Sequence, residues 1–183
     1  LKAHPELALC YPKLDKKTLR ILAYSDASLH NNGDSSSQLG YVILLADSTD
    51  YCYVLSYRSF KSKRIARSSM AAETMAFADT FDAELSLKSD LASILGKPLP
   101  LLILTDIKPL FDVMVCSNYT TEKRLMIDIS AAGEGLNRHD ITNICLISSE
   151  ENIADSMTKL SSNSALHRPL LHHTIPTRYY NTL

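Results

Sequence analysis

Several features that often define a protein's class are scarce in this sequence. The 183 residues include no Trp, five Gly and four Cys, and no apolar run approaches the ~18 residues of a membrane-spanning helix. The amino terminus has no charged and then apolar signal segment, so we expect a soluble, intracellular protein. The cysteines lie singly, without CxxC pairs or clustered histidines, so the sequence indicates neither a zinc site nor a disulfide framework. We expect buried free thiols at Cys10, Cys52, Cys116 and Cys145.

A strong charge of either sign is also missing. The net charge is −1 and the isoelectric point is 6.6, which argues against a chain that binds nucleic acid tightly by overall charge alone. No GxGxxG, P-loop or Ser/His/Asp pattern is present, so nucleotide-dependent and acyl-transfer chemistry have no support. With 45% hydrophobic residues, the chain can build one domain with a sizeable core. It starts at Leu1 and its first segment reads as a continuation, so we expect a piece of a longer polyprotein.

Hydrophobic periodicity and turn residues predict an α/β chain. Three β-prone runs joined by polar turns form a predicted antiparallel meander, and the apolar run 99–106 favours a central parallel strand. A long helix follows the meander, with Ser69 as its predicted N-cap. We therefore expect a mixed five-stranded sheet flanked by helices. The predicted strands are 19–25, 39–46, 51–59, 99–106 and 141–148, and the predicted helices are 68–95, 107–116, 121–138 and 150–160.

The same patterns divide the chain into three parts. Residues 1–19 show no clean period and are predicted to be a linker or arm from an upstream segment. Residues 20–160 form the predicted domain. They contain every predicted strand and helix, except that the first predicted strand begins one residue earlier, at residue 19. Residues 161–183 have mixed polarity and two Pro, which predicts a tail that docks weakly or is disordered.

Four acidic residues lie at or near the ends of predicted elements. Asp26 follows the first strand, Glu73 falls within about the first turn of the long helix, and Asp106 follows the fourth strand, while Asp155 lies in the last helix. Carboxylates held close together repel, so such a group shifts its pKa values or captures a cation. Mg²⁺ prefers oxygen ligands, and two such ions about 4 Å apart stabilise an in-line phosphoryl displacement. The layout therefore predicts metal-dependent phosphodiester hydrolysis.

Each of these carboxylates also has a simpler structural explanation. Asp26 fits a polar strand terminus, and Glu73 fits a helix acid stabilised by the macrodipole. Asp106 fits an N-cap, and Asp155 fits a solvated surface acid. We favour the metal-ligand interpretation because the four occur together in this order.

A basic stretch immediately precedes the helix that carries Glu73. It offers five cations followed by two hydroxyls, namely Arg58, Lys61, Lys63, Arg64, Arg67, Ser68 and Ser69. Two interpretations stay open, a solvated loop or an edge that binds the phosphates of a nucleic-acid backbone. Weaker candidates for the same role are Lys123, Arg124, Arg138 and Lys159.

Six ordered motifs resemble the ribonuclease H domain at the end of the polyprotein of copia-class LTR retrotransposons. They are YSDAS at 24–28, LGYVI at 39–43, SS-x-x-A-E at 68–73, LTD at 104–106, RLMIDI at 124–129 and ENIADSMTK at 151–159. The resemblance covers roughly residues 1–160, with the motifs in the order of the family. The chain departs from the family in three places. The loop after Asp26 lacks the usual Trp, and TDIKP lacks the common Asn after its Asp. The helix that carries Glu73 reads AAETMA where members of the family commonly have EAEY. These departures concern substrate contacts more than metal binding.

The resemblance implies a five-stranded ribonuclease H sheet and hydrolysis of the RNA strand of RNA/DNA hybrids with two Mg²⁺ or Mn²⁺ ions. It implies that Asp26 bridges both ions. Glu73 and Asp106 would complete the ligands of the ion on one side, and Asp155 would hold the other ion. It further implies an upstream reverse transcriptase in the same polyprotein, no membrane, and a location in cytoplasmic virus-like particles or the nucleus. Two alternatives stay open: a strand-transfer enzyme or exonuclease of the same fold, and a catalytically inactive or domesticated binding module.

Overall fold

The five strands of the described chain form one mixed sheet. The structure is a computed structural model, and it describes residues 11–30, 32–117, 119–120, 122–160 and 164–175. The strands are β1 (Arg20–Ser28), β2 (Gln38–Ala46), β3 (Cys52–Lys61), β4 (Leu101–Thr105) and β5 (Asn143–Leu146), in the order β3-β2-β1-β4-β5. β1 to β3 pair antiparallel, whereas β4 pairs parallel with β1 and β5. The predicted fold class is therefore confirmed, and the apolar run at β4 is an interior parallel strand.

Helices and turns cover this sheet. They are α1 (Ser69–Leu95), α2 (Lys108–Asp112) with a π turn at Val113–Ser117, α3 (Met126–Asn137), a 3₁₀ turn at Ser149–Glu151, α4 (Asp155–Thr158), and α5 (Ser164–His167) with a π turn at Arg168–His172. The N-cap of α1 is Ser68 rather than Ser69, because the Ser68 hydroxyl accepts the Ala71 amide. Gly96 ends this helix with a φ of 69°, a left-handed conformation that glycine adopts at low cost.

The predicted helix over 150–160 is wrong as a continuous element. Asn152 is extended, with φ −75° and ψ 100°, and it separates the 3₁₀ turn from α4. Its side chain is held by groups far away in the sequence, which outweigh the local helical pattern. The predicted helix over 121–138 begins only at Met126, after a short turn.

β1 is buried on both faces, as expected for an interior strand. Ile21 and Ala23 pack in the core beneath the C-terminal half of α1, whereas Leu22 and Tyr24 face the opposite layer. That second layer includes Ile153 and Ala154, just before α4. Because side chains alternate along a strand, Asp26 points to the same side of the sheet as Tyr24, toward α4.

Part of the expected tail packs on the sheet edge. Within residues 164–175, Ala165 and Ile175 are buried in the second layer. The Cys52 amide donates to the His173 carbonyl at 2.7 Å, and the Ile175 amide donates to the Asp50 carbonyl at 2.9 Å. This stretch is thus tightly docked, contrary to the expectation of weak docking. The proposed boundaries at 19 and 161 stay predictions, since 1–10, 161–163 and 176–183 lie outside the described residues.

The cysteines follow the sequence expectation in part. Cys52, Cys116 and Cys145 are free thiols. Cys52 is buried and Cys145 is partly buried, but Cys116 is exposed, so the expected burial is wrong for Cys116. Cys10 lies outside the described residues. Among the helices of the described ranges, none is long and apolar enough to cross a membrane.

Candidate active site

Two aspartates meet where the parallel strands β1 and β4 end. In the β1–β4 register Tyr24 lies opposite Leu104, so a step of two residues along each strand places Asp26 beside Asp106. β1 extends to Ser28, so Asp26 lies inside the strand rather than after it. Asp26 is only 3% exposed. The two carboxylates therefore share one edge of the sheet, in a site with little access for water at Asp26.

The third aspartate comes from α4. Asp155 is the first residue of this short helix, and carboxylate oxygens of Asp26, Asp106 and Asp155 all lie within 4.8 Å of one another. α4 can lie directly on the sheet because Gly40, which pairs with Asp26 on β2, has no side chain. A Cβ at Gly40 would collide with the Cβ of Met157. Gly40 was not predicted as a site residue, because a glycine inside a strand indicates close backbone approach only once the element that packs on it is known.

Two polar residues orient the aspartates, and both were missed from the sequence. The fully buried Asn152 donates its side-chain amide to the Ser25 carbonyl at 3.0 Å and to Asp106 Oδ1 at 3.1 Å. The Thr158 hydroxyl donates to Asp26 Oδ2. Both lie in the ENIADSMTK motif, so their polar side chains flanking Asp155 were the available signal. They fix the rotamers of two carboxylates that would otherwise repel one another.

Glu73 approaches the cluster from α1. It lies in the second turn of the helix rather than the first, and it is 4% exposed. The Ala27 amide donates to its carboxylate, while Oε2 has no hydrogen-bond partner among the described residues. Burial, together with the charges of Asp26 and Asp106, raises the pKa of Glu73 well above its usual range. A buried carboxylate oxygen without a partner is costly, and a cation bound in the cluster would offset this cost.

The pKa values of the cluster show that its carboxylates lack compensating positive charge. Burial raises the pKa of Asp26 from 3.8 to about 7; the Thr158 hydrogen bond opposes this, and the charges of Asp155 and Asp106 add to it. Lys159 Nζ donates to Asp155 Oδ1 at 2.7 Å. Burial lowers the pKa of Lys159, but the hydrogen bond and the charge of Asp155 outweigh this and raise it. An all-oxygen donor set with a deficit of positive charge fits Mg²⁺ or Mn²⁺.

Four of the five predicted cations line a cleft formed by β3, the turn that follows it and α1. The basic cleft has a volume of about 480 Å³ and is lined by Arg58, Phe60, Lys61, Ser62, Lys63, Arg64 and Asp79. The Arg58 guanidinium lies 4.4 Å from the centre of the Phe60 ring, a cation–π contact that holds it in place. Lys61 pairs with Asp34 at 2.9 Å and Arg64 pairs with Asp128 at 3.1 Å. The Lys61 and Asp34 side chains are both more than half exposed, so this ion pair can be exchanged for a phosphate at low cost, whereas the Asp128 side chain of the second pair is only 15% exposed.

The remaining residues predicted to contact nucleic acid differ in exposure and in the hydrogen bonds or ion pairs that they already form. Arg67 and Ser69 are exposed. The Ser68 hydroxyl caps α1 and also donates to Glu122 Oε1 at 3.0 Å, so it already serves the fold. Lys123 and Arg124 are exposed just before α3, and Arg138 forms an ion pair with Glu134.

Comparisons with solved structures identify the fold. The chain is similar to LC11-RNase H1, isolated from compost by a metagenomic approach and solved with an RNA/DNA hybrid, at 17% identity and a TM-score of 0.56 over 80% of this chain and 99% of that one. It is similar to RNase H1 from the archaeon Halobacterium salinarum, at 19% identity and a TM-score of 0.52 over 80% and 97% of the two chains. It is also similar to a foamy viral protease-reverse transcriptase solved with an RNA/DNA hybrid, at 17% identity and a TM-score of 0.51.

The foamy viral match covers 79% of this chain but 20% of the viral chain. No protein-family model and no curated protein matches the sequence significantly. At these identities the similarity establishes the fold alone. The described domain therefore has the ribonuclease H fold.

Proposed function

We propose that this protein is a metal-dependent endonuclease that hydrolyses the RNA strand of RNA/DNA hybrids. One observation carries the proposal: carboxylate oxygens of three aspartates lie within 4.8 Å of one another, beside a buried glutamate with one oxygen that has no partner among the described residues. The ribonuclease H fold and the hybrid complexes of two structural neighbours support this substrate class. The six ordered motifs of the sequence support the same assignment.

The proposed metal ligands are Asp26, Glu73, Asp106 and Asp155, which would hold two Mg²⁺ or Mn²⁺ ions. Their oxygen donors match the preference of both cations. When bound, such ions supply Lewis-acid stabilisation of the phosphate charge and favour a nucleophilic water at neutral pH. Asn152 and Thr158 hold Asp106 and Asp26 in place for this task. Preorganised ligands avoid a reorganisation cost at the moment of reaction.

The basic cleft is the proposed contact for the nucleic-acid backbone. Arg58, Lys61, Lys63 and Arg64 line it, and the exposed Arg67 and Ser69 follow these residues in the chain, at the start of the helix that carries Glu73. Ser68 contributes mainly by capping that helix. These side chains would read the backbone by charge and shape, without sequence preference. Because the net charge is −1, binding by this chain alone should be weak and sensitive to salt.

The proposed setting is the replication of a copia-class LTR retrotransposon. The resemblance of the six motifs supports it. A structural neighbour that is a protease-reverse transcriptase chain is consistent with the proposed link to a reverse transcriptase. In this setting an upstream reverse transcriptase of the same polyprotein supplies the hybrid. The proposed location is then a cytoplasmic virus-like particle or the nucleus.

Cleavage of a labelled RNA/DNA hybrid with Mg²⁺ or Mn²⁺ tests the proposal, beside single-stranded RNA and duplex DNA. We expect cutting of the RNA strand alone, and its loss in Asp26→Asn and Asp106→Asn. Asp90→Asn is the matched control, because Asp90 is an exposed carboxylate on α1, well along the helix from Glu73. If natively folded protein leaves the hybrid intact with either metal at low salt, the nuclease proposal is wrong. Tight hybrid binding without cleavage would then favour the inactive binding module.

A further inference from the structure

Lys159 lies against the carboxylate cluster as a positive charge built into the chain. Its Nζ donates to Asp155 Oδ1 at 2.7 Å. Asp155 is the first residue of α4 and Lys159 directly follows the last, so the two side chains are one helical turn apart. The charge of Lys159 also acts on Asp26, and the charges of Asp26 and Asp106 act on Lys159. The ammonium is therefore a counterion of the whole cluster rather than of Asp155 alone.

The two partners of this ion pair differ in their freedom to move. The Asp155 side chain is 13% exposed, and the Lys159 side chain is 48% exposed. The backbone around them is held, because Thr158 donates to Asp26 and the Lys159 amide donates to the Asp155 carbonyl. A lysine ammonium on a flexible four-carbon stem can turn toward solvent, whereas the Asp155 carboxylate stays in the cluster. Lys159 is thus the partner that can leave.

We propose that Lys159 competes with a divalent cation for Asp155, and that its ammonium leaves the carboxylate when the cation binds. This inference rests on the proposed function, because it takes Asp155 as a metal ligand. An ammonium and a divalent ion on one carboxylate repel each other, and the charge of Lys159 already offsets part of the cluster's attraction for cations. Lys159 therefore weakens metal binding and stabilises the metal-free protein.

The test is Mn²⁺ binding to the full chain, measured by calorimetry without nucleic acid. Lys159→Met keeps the length of the stem and removes the charge, while Lys159→Arg keeps the charge. Lys108→Met is the matched control, because Lys108 forms an exposed lysine–aspartate pair of the same i,i+4 spacing with Asp112, at 3.1 Å. We expect Lys159→Met to lower the Kd of one Mn²⁺ site by about tenfold or more, and Lys108→Met to change it by less than about threefold. Lys159→Arg should stay close to the wild type.

A second readout follows the lysine itself. In the wild type, Mg²⁺ should shift the NMR signal of the Lys159 ε-methylene, identified by its absence in Lys159→Met. The inference is overturned if Lys159→Met binds Mn²⁺ like the wild type, or if Mg²⁺ saturates the site without moving that signal. In either case the proposed function survives, provided that Asp26→Asn abolishes Mn²⁺ binding. If neither the wild type nor Lys159→Met binds Mn²⁺, both proposals fall together.

Discussion

Replacing Asp26 by Asn should stabilise the metal-free protein while removing its proposed activity. Asp26 is 3% exposed, and its pKa is raised from 3.8 to about 7, chiefly by burial. Asn has the same shape as Asp, and its side-chain oxygen can accept the hydrogen bond that Thr158 donates to Asp26. The substitution therefore removes the buried charge and keeps the local packing.

The magnitude follows from the two pKa values. A carboxyl whose folded pKa is raised favours the folded state most at low pH, and this contribution is lost as the pH rises from 3.8 through about 7. Keeping Asp26 ionised in the folded protein costs about 4 kcal/mol once the pH exceeds the folded pKa. Between about pH 5 and about pH 8, Asp26 alone should lower the free energy of unfolding by about 2 to 3 kcal/mol. The Asn variant lacks this contribution.

The assay is urea unfolding of the wild type and Asp26→Asn in the presence of a chelator, at about pH 5 and about pH 8. We expect the variant to be more stable than the wild type at the higher pH, by about 4 kcal/mol, and to show a weaker dependence on pH. Saturating Mg²⁺ should stabilise the wild type and leave the variant nearly unchanged. Asp90→Asn should behave as the wild type. An Asp26→Asn protein that is less stable than the wild type at the higher pH would refute the reasoning.

Three further outcomes are expected from the same structure. Gly40→Ala should lower the rate of hybrid cleavage by about tenfold or more, because the added Cβ would push α4 and Asp155 off the sheet. Gly33→Ala is the control and should leave the rate unchanged, because nothing lies within 4 Å of a Cβ at that position. Glu84→Met should raise the free energy of unfolding at neutral pH by about 1 to 3 kcal/mol in urea titrations, because Glu84 is fully buried and neither carboxylate oxygen has a partner among the described residues. Replacing Arg58 and Lys63 together by Gln should weaken hybrid binding, measured by anisotropy, and reduce its salt slope by about one per lost phosphate contact, while Mn²⁺ affinity stays the same.

The strands and the convergence of the aspartates could be predicted because their signals are local. The apolar runs of β1, β2 and β4 place these strands within two or three residues of their bounds. The carboxyl ends of parallel neighbouring strands lie at one edge of a sheet, and the predicted convergence of Asp26 and Asp106 holds because β4 pairs with β1. Periodicity alone could not choose between Ser68 and Ser69 as the cap of α1, since both are serines one residue apart.

The supporting residues of the site could not be predicted because their partners are distant in the chain. Asn152 and Ser25 are 127 residues apart, and Thr158 and Asp26 are 132 residues apart. The helical pattern over 150–160 contains no hint that Asn152 is held extended by such bonds. Gly40 is informative only once β2 is known to pass beneath α4. Tertiary contacts, rather than local propensity, therefore determine how the carboxylates are held.

Two glutamates of α1 are buried and destabilise the metal-free protein, but only one of them belongs to the proposed metal site. Glu73 and Glu84 are both buried with raised pKa values, so each makes the metal-free protein less stable as the pH rises above 4.5. Burial alone raises the pKa of Glu84, whereas the charges of Asp26 and Asp106 add to the effect of burial on Glu73. A cation in the cluster would relieve Glu73 and Asp26 and leave Glu84 unchanged. Saturating Mg²⁺ should therefore flatten the pH dependence of stability in Glu84→Met more completely than in the wild type, and equal residual slopes in the two proteins would contradict this assignment.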